Sequence, residues 1–176
     1  MRLFIALRLS EGAKMLLAGI QDKLREQGVT GNYTDCKNLH LTLAFIGEYD
    51  RPEKVMRALR RVRLEPFELH VGGRLGSFGE LIWVGISGAQ ALTSAANDVR
   101  SALESESIPF DRKPFKPHIT IIRRAAFIGK GSAGDVKPPS VCMPVERISL
   151  MRSDRINGKL VYTEIGAIRA GECSRS

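Results

Sequence analysis

The chain is poor in the residues that would commit it to several large protein classes. Cysteine occurs three times, as Cys36, Cys142 and Cys173, with no CxxC pair. The odd number and the spacing suggest neither a disulfide framework nor a zinc ribbon, and a reducing cytoplasm is the simplest setting. No apolar run approaches the roughly 20 residues of a membrane span. The opening MRLFIALRLSEG lacks both a long apolar stretch and a small-residue cleavage site, so it reads as a first strand rather than a leader. Aromatic residues make up 6%, with a single tryptophan, and histidine occurs only three times.

What is present is an ordinary globular mixture, 43% hydrophobic and 26% charged over 176 residues, which suits one domain or two small lobes sharing a core. The net charge is +8 and the sequence pI about 9.8. That balance favours polyanionic partners, although solubility alone explains it equally well. The basic residues are spread through RALRRVR, DRKPFK and IIRR and form no terminal arm.

Hydrophobic periodicity predicts helices over 10–28, 51–62 and 88–106. Ser10 is the N-cap of the first, and Gly28 its stop. Strands are predicted over 2–9, 38–47, 67–76, 80–87, 116–123, 144–153 and 159–168. Residues 124–142 read as a loop, and 170–176 as a frayed tail. Within the loop, FIGKGSAG lacks the spacing of a phosphate-binding P-loop. The order of elements indicates an α+β fold with mostly antiparallel sheet. A long helix precedes each of two similar strands, which suggests duplicated lobes related by a pseudo-two-fold.

Those two strands carry two of the three histidines. NLHLTLAF holds His40 and KPHITIIR holds His118, 78 residues later, each as His, apolar, Thr, apolar. Side chains alternate along a strand, so His40 and Thr42 share a face about 6.6 Å apart, as do His118 and Thr120. Leu39, Leu41 and Leu43, and in the second copy Ile119 and Ile121, take the opposite face. Two facing lobes would bring two imidazoles and two hydroxyls to one cleft. One neutral and one protonated histidine can act as base and acid, while threonine hydroxyls hydrogen-bond phosphoryl oxygens. Such a set can cleave a phosphate ester without a metal. No acidic or cysteine partner stands at ligand spacing, so neither metal nor cofactor is expected. A lone His-x-Thr would be an ordinary structural histidine. His70 lacks the threonine and is read that way, and Trp83 is expected to pack in a sheet.

At these residues the chain resembles the 2H phosphoesterase superfamily, most closely its RNA 2′,3′-cyclic phosphodiesterases, also described as 2′-5′ RNA ligase-like proteins. The similarity runs through MRLFIAL, NLHLTLAFIGE, LGSFG with LIWVGI, RKPFKPHITIIR, ISLMRS and LVYTEIG. The resemblance implies a single bilobal domain over 1–176, its two lobes interleaved around a central cleft. It implies that His40 is the proton donor, His118 the proton acceptor, and Thr42 and Thr120 the phosphate-binding residues. Arg123 matches an arginine that often follows the second motif. Its number has the opposite parity to His118, so it reaches the phosphate only where the strand ends or bulges. Lys116 and Arg112 lie nearby as further candidates for phosphate contact. The second motif reads HITII where many relatives have Leu after the Thr. The implied reaction opens a terminal 2′,3′-cyclic phosphate on RNA to a 2′-phosphomonoester. Some members also run the reverse type of reaction, 2′-5′ ligation. The expected partner is RNA with that cyclic end, and the expected setting is a cytoplasmic monomer with no membrane attachment. Two alternatives stay open on sequence alone: a small cyclic phosphate or 2′-5′ oligonucleotide as substrate, or a non-catalytic RNA-binding protein on the same fold.

Overall fold

Among the described residues nine strands, some alternating in burial and others, such as the first, buried on both faces, pair into two sheets. The computed structural model describes residues 1–127 and 138–171. The first sheet has the order β3 (His40–Glu48), β1 (Arg2–Arg8), β8 (Arg147–Ile156), β9 (Lys159–Arg169). The second has the order β2 (Val29–Tyr33), β6 (His118–Phe127), β5 (Leu81–Ser87), β4 (Phe67–Phe78), β7 (Ser140–Val145). All neighbouring strands run antiparallel. The α+β class with antiparallel sheets is as the sequence indicates. Among the described residues no helix is long and apolar enough to cross a membrane.

Three α-helices among the described residues cover the sheets, and they cross over to do so. Helix α1 (Glu11–Glu26) follows β1 of the first sheet but packs on β7, β2, β4 and β6 of the second. Helix α3 (Ala89–Ser105) follows β5 of the second sheet and packs on β3 of the first as well as on β4. Helix α2 (Pro52–Leu59) lies against α3 and β9. Ser10 caps α1 by accepting from the Ala13 N–H at 3.2 Å, and the helix buries Ala13, Leu17, Ile20 and Leu24. One continuous core runs from Leu3 to Ile168 through both sheets, made almost wholly of aliphatic side chains. Leu41 and Leu43 from β3 and Ile119 and Ile121 from β6 sit in it with no exposed surface.

The two histidine-bearing strands share one irregularity. Along β3, Ala6 of β1 faces Thr42 but Ile5 faces Ala44, so Leu43 is an extra residue. Along β6, Trp83 of β5 faces Thr120 but Ile82 faces Ile122, so Ile121 is extra. Each is a β-bulge placed directly after the motif threonine. Consecutive residues are therefore buried, Leu43 with Ala44 and Ile121 with Ile122. A bulge frees backbone groups from the ladder, and buried carbonyls need donors. The Ile121 carbonyl accepts from the buried Gln21 side chain of α1 and from the Thr34 N–H, both at 2.9 Å. The Leu43 carbonyl accepts from the Arg100 side chain of α3 at 3.3 Å. Each crossing helix thus secures the bulge of the strand on the far side.

The structure corrects several boundaries. Strands β2 and β7 are additional to those the sequence predicts, and α2 ends at Leu59 rather than at 62. The β2 stretch VTGNY is short and holds Gly and Asn, which disfavour strands in isolation. It forms because β6 offers it an edge. A second bulge there gives Arg124 a φ of +52°, and Gly31 opposite has a φ of +141°. A Cβ on Gly31 would lie 2.9 Å from the Arg124 carbonyl oxygen, so only glycine fits. Strand β6 runs on to Phe127 and β7 begins at Ser140, so the two ends of the loop that composition suggests over 124–142 are strand, while its residues 128–137 lie outside the described residues. Most of FIGKGSAG, and the tail from 172 with Cys173, lie outside the described residues.

Replacing Gln21 by Leu removes the side-chain donor to the bulge at Ile121, leaving the Thr34 carbonyl without that donor and the Ile121 carbonyl with the Thr34 N–H. The expected loss of stability is about 1–3 kcal/mol, read from the midpoint of denaturant unfolding. A midpoint equal to the wild type would mean that this bond does not support the bulge.

Candidate active site

Strand alternation sets the four motif side chains apart from their neighbours. His40, Thr42, His118 and Thr120 are each partly exposed, while every intervening residue is buried. After the bulge the alternation restarts in opposite phase. Phe45 on β3 and Arg123 on β6 therefore fall on the same face as the histidines. The parity objection to Arg123 is met by the bulge. Arg123 and His40 together line two adjoining hollows of about 740 and 1050 Å³. Thr42 lines the first of these, and Thr120 the second. Thr42 also lines a hollow of about 410 Å³ with His118. The four motif residues and Arg123 therefore border one continuous cleft between the sheets.

Both imidazoles are oriented by the same bond. The His40 Nδ1 lies 2.6 Å from the Asn38 carbonyl, and the His118 Nδ1 lies 2.6 Å from the Lys116 carbonyl. A carbonyl only accepts, so each Nδ1 carries the proton, and each neutral ring presents Nε2 as its basic nitrogen. The His40 Nε2 meets the Thr42 hydroxyl at 3.0 Å. Aromatic rings hold both imidazoles in place. Phe4 and Tyr162 lie 4.9 and 5.2 Å from the His40 ring, the latter edge-on. Phe78 and Trp83 lie 5.4 and 6.4 Å from the His118 ring.

The electrostatics of His40 follow from this enclosure. Burial disfavours the imidazolium and lowers its pKa below the ordinary 6.5. The bond to the Asn38 carbonyl opposes this, while the Arg123 and His118 charges push the same way as burial. These effects favour neutral His40 near pH 7, and an anion placed beside the ring would favour the imidazolium instead.

Other residues singled out from the sequence sort clearly. His70 is exposed on β4, with Ser87 and Cys142 as its strand neighbours, and borders none of these hollows. Trp83 is buried in β5 and lies flat on Gly76, where a Cβ would come within 2.2 Å of the ring. Arg112 pairs with Glu104 at 2.5 Å, and the Lys116 ammonium sits 5.6 Å from the centre of the Phe78 ring. Cys36 and Cys142 are free thiols on the surface. Sequence reasoning misses Phe4, Phe78 and Tyr162. They come from strands remote in sequence, and the only hint is the resemblance around MRLFIAL, LGSFG and LVYTEIG.

In a histidine-resolved NMR titration, His40 should titrate below 6.5. Arg123→Ala should raise that value by removing a neighbouring cation, and saturating inorganic phosphate should raise it further in the wild type. A value unmoved by both changes would refute this account of the cleft.

A sequence profile of the 2′-5′ RNA ligase superfamily matches residues 17–157. The chain is 31% identical over 164 residues to the RNA 2′,3′-cyclic phosphodiesterase of Thermotoga maritima, covering 87% of each chain. It is 33% identical over 180 residues to the protein of that name from Thermus thermophilus, covering 93% of this chain and 87% of the relative. The crystal structure of Escherichia coli LigT in apo form superposes with a TM-score of 0.81 at 26% identity, covering 97% of this chain and 98% of that one. With two His-x-Thr strands facing one cleft and a match across most of its length, the chain belongs to the 2′-5′ RNA ligase superfamily, a family of 2H phosphoesterase enzymes.

Proposed function

We propose that the protein hydrolyses the terminal 2′,3′-cyclic phosphate of RNA to a 2′-phosphomonoester, with His118 as general base and His40 as general acid. The observation that carries this reading is the shared orientation of the two imidazoles. Each is fixed through Nδ1 to a carbonyl two residues earlier, which leaves two Nε2 atoms for proton transfer at one cleft. The names of the relatives in Thermotoga and Thermus support the choice of substrate.

Thr42, Thr120 and Arg123 border the space between the histidines and supply two hydroxyls and a guanidinium for the phosphoryl oxygens. The His118 Nε2 takes a proton from water as the water oxygen bonds to phosphorus. The P–O3′ bond breaks, and the O3′ oxygen takes a proton from the His40 Nε2. The phosphate stays on O2′. Solvent then restores a proton to His40 and removes one from His118. The same sequence with a 5′-hydroxyl in place of water, its proton passing to His118 as the P–O5′ bond forms and the P–O3′ bond breaks, gives a 2′-5′ linkage at the same centre.

The substrate brings its own correction for the suppressed proton on His40. A phosphodiester anion beside the ring favours the imidazolium, so the acid is charged when it is needed. The kcat/KM profile reports the free enzyme and the kcat profile the complex. Both should be bell-shaped, and the basic limb of the kcat bell, set by His40 as the acid, should lie at higher pH, because the bound anion favours its imidazolium. Coincident bells would contradict this coupling.

The direct test uses RNA with a 2′,3′-cyclic phosphate end and identifies the product isomer. His40→Ala and His118→Ala should each lower turnover roughly 10²–10⁴-fold with unchanged unfolding midpoints. Full activity in both variants, or a 3′-phosphate product, would overturn the reading. Hydrolysis of cyclic mononucleotides without hydrolysis of the RNA end would favour a small-molecule substrate instead.

A further inference from the structure

We propose that the RNA strand leaves the reaction centre on the His40 side, along the groove between β2 and the β8–β9 hairpin, where Lys37, Arg155 and Lys159 hold the phosphates upstream of the cyclic end. The proposal rests on the acid and base assignment above. In-line displacement puts the attacking water and the departing O3′ on opposite sides of phosphorus. The water is beside the base, so the ribose and the chain attached to it are beside the acid.

The cleft divides along that line. The hollows bordered by His40 share Arg123, Arg155, Leu160 and Tyr162 with each other, and His118 borders neither. The hollows bordered by His118 do not include His40. The larger His40 hollow, about 1050 Å³, lies at the top of the range of roughly 300–1,000 Å³ that takes a drug-sized ligand. Such a space admits more than one nucleoside.

The charges divide in the same way. Lys37, Arg123, Arg155 and Lys159 border the His40 groove. Among the described residues none of the four forms an ion pair with a carboxylate, and Arg155 donates to the Gly158 carbonyl at 2.8 Å. The carboxylate of Asp35 also borders the groove and already accepts from the Lys37 backbone N–H at 2.9 Å. On the His118 side the cations are engaged. Lys113 pairs with Asp111 at 3.5 Å, Arg100 donates to the Leu43 and Lys113 carbonyls, Arg74 lies over the Trp83 ring, and Lys116, which borders both His118 hollows, lies over the Phe78 ring. The groove wall is also tied to the acid. Asn38 accepts from His40 through its carbonyl and donates through its side chain to the Leu160 carbonyl at 2.8 Å.

The test compares a hexaribonucleotide ending in 2′,3′-cyclic phosphate with a 2′,3′-cyclic mononucleotide, at several salt concentrations. In the variant Lys37→Ala, Arg155→Ala, Lys159→Ala, the ratio of kcat/KM for hexamer over mononucleotide should fall about tenfold or more. The salt slope for the hexamer should become shallower by about 2, at roughly 0.7 for each single-strand phosphate that is no longer neutralised. The variant Arg74→Ala, Lys113→Ala, on the other side, should keep the wild-type ratio within about twofold. A ratio held in the first variant, or reduced in the second instead, would overturn the proposed path while leaving the phosphodiesterase reading standing. A wild type that hydrolyses neither substrate would overturn that reading and the path with it.

Discussion

A strand that alternates without interruption cannot place His118, Thr120 and Arg123 on one face. The extra residue after each motif threonine resolves this, and the cleft depends on it. By letting Ile121 and Ile122 both enter the core, the bulge turns Arg123 back towards the cleft. The same device on β3 buries Leu43 and Ala44 and turns Phe45 towards the cleft. Neither bulge is left to the strand alone. Gln21 and Arg100 reach from the crossing helices to the freed carbonyls. Core packing, helix docking and the geometry of the site are therefore one arrangement.

The site also carries a mismatch between its resting charge and its proposed task. A partly buried histidine near an arginine and a second histidine resists protonation, yet in the proposed reaction it is the group that gives up a proton. The same cations that suppress the proton attract a phosphodiester. Binding of that anion thus favours the imidazolium that the acid needs. On this scheme selectivity for an anionic substrate is built into the proton inventory rather than added by separate contacts.

Much of this is legible in the sequence, and the physical reasons for the remainder are specific. Leu-His-Leu-Thr-Leu and His-Ile-Thr-Ile disclose both strand and face, because period-two alternation is a local signal. The α+β class and the facing pair of motifs follow from those signals and from the helix periodicities. The bulges do not show, since Leu43-Ala44 and Ile121-Ile122 read equally well as the interior of a buried strand. They are fixed by register against β1 and β5, which is non-local. Strand β2 escapes notice for the same reason: Gly31 and Asn32 form a strand only because β6 presents an edge with its own irregularity. Arg123 is the instructive case. Its face is undecidable from parity and is settled by one inserted residue.

The single tryptophan has a consequence of its own. Trp83 is anchored on Gly76 with its ring 6.4 Å from that of His118 and next to Phe78. With no second indole in the chain, indole emission comes from this one place. A protonated imidazole quenches nearby indole fluorescence, and a ligand in the cleft changes the polarity around it. The protein therefore carries an intrinsic optical gauge of its cleft, one that needs no label and reports in real time from the His118 side.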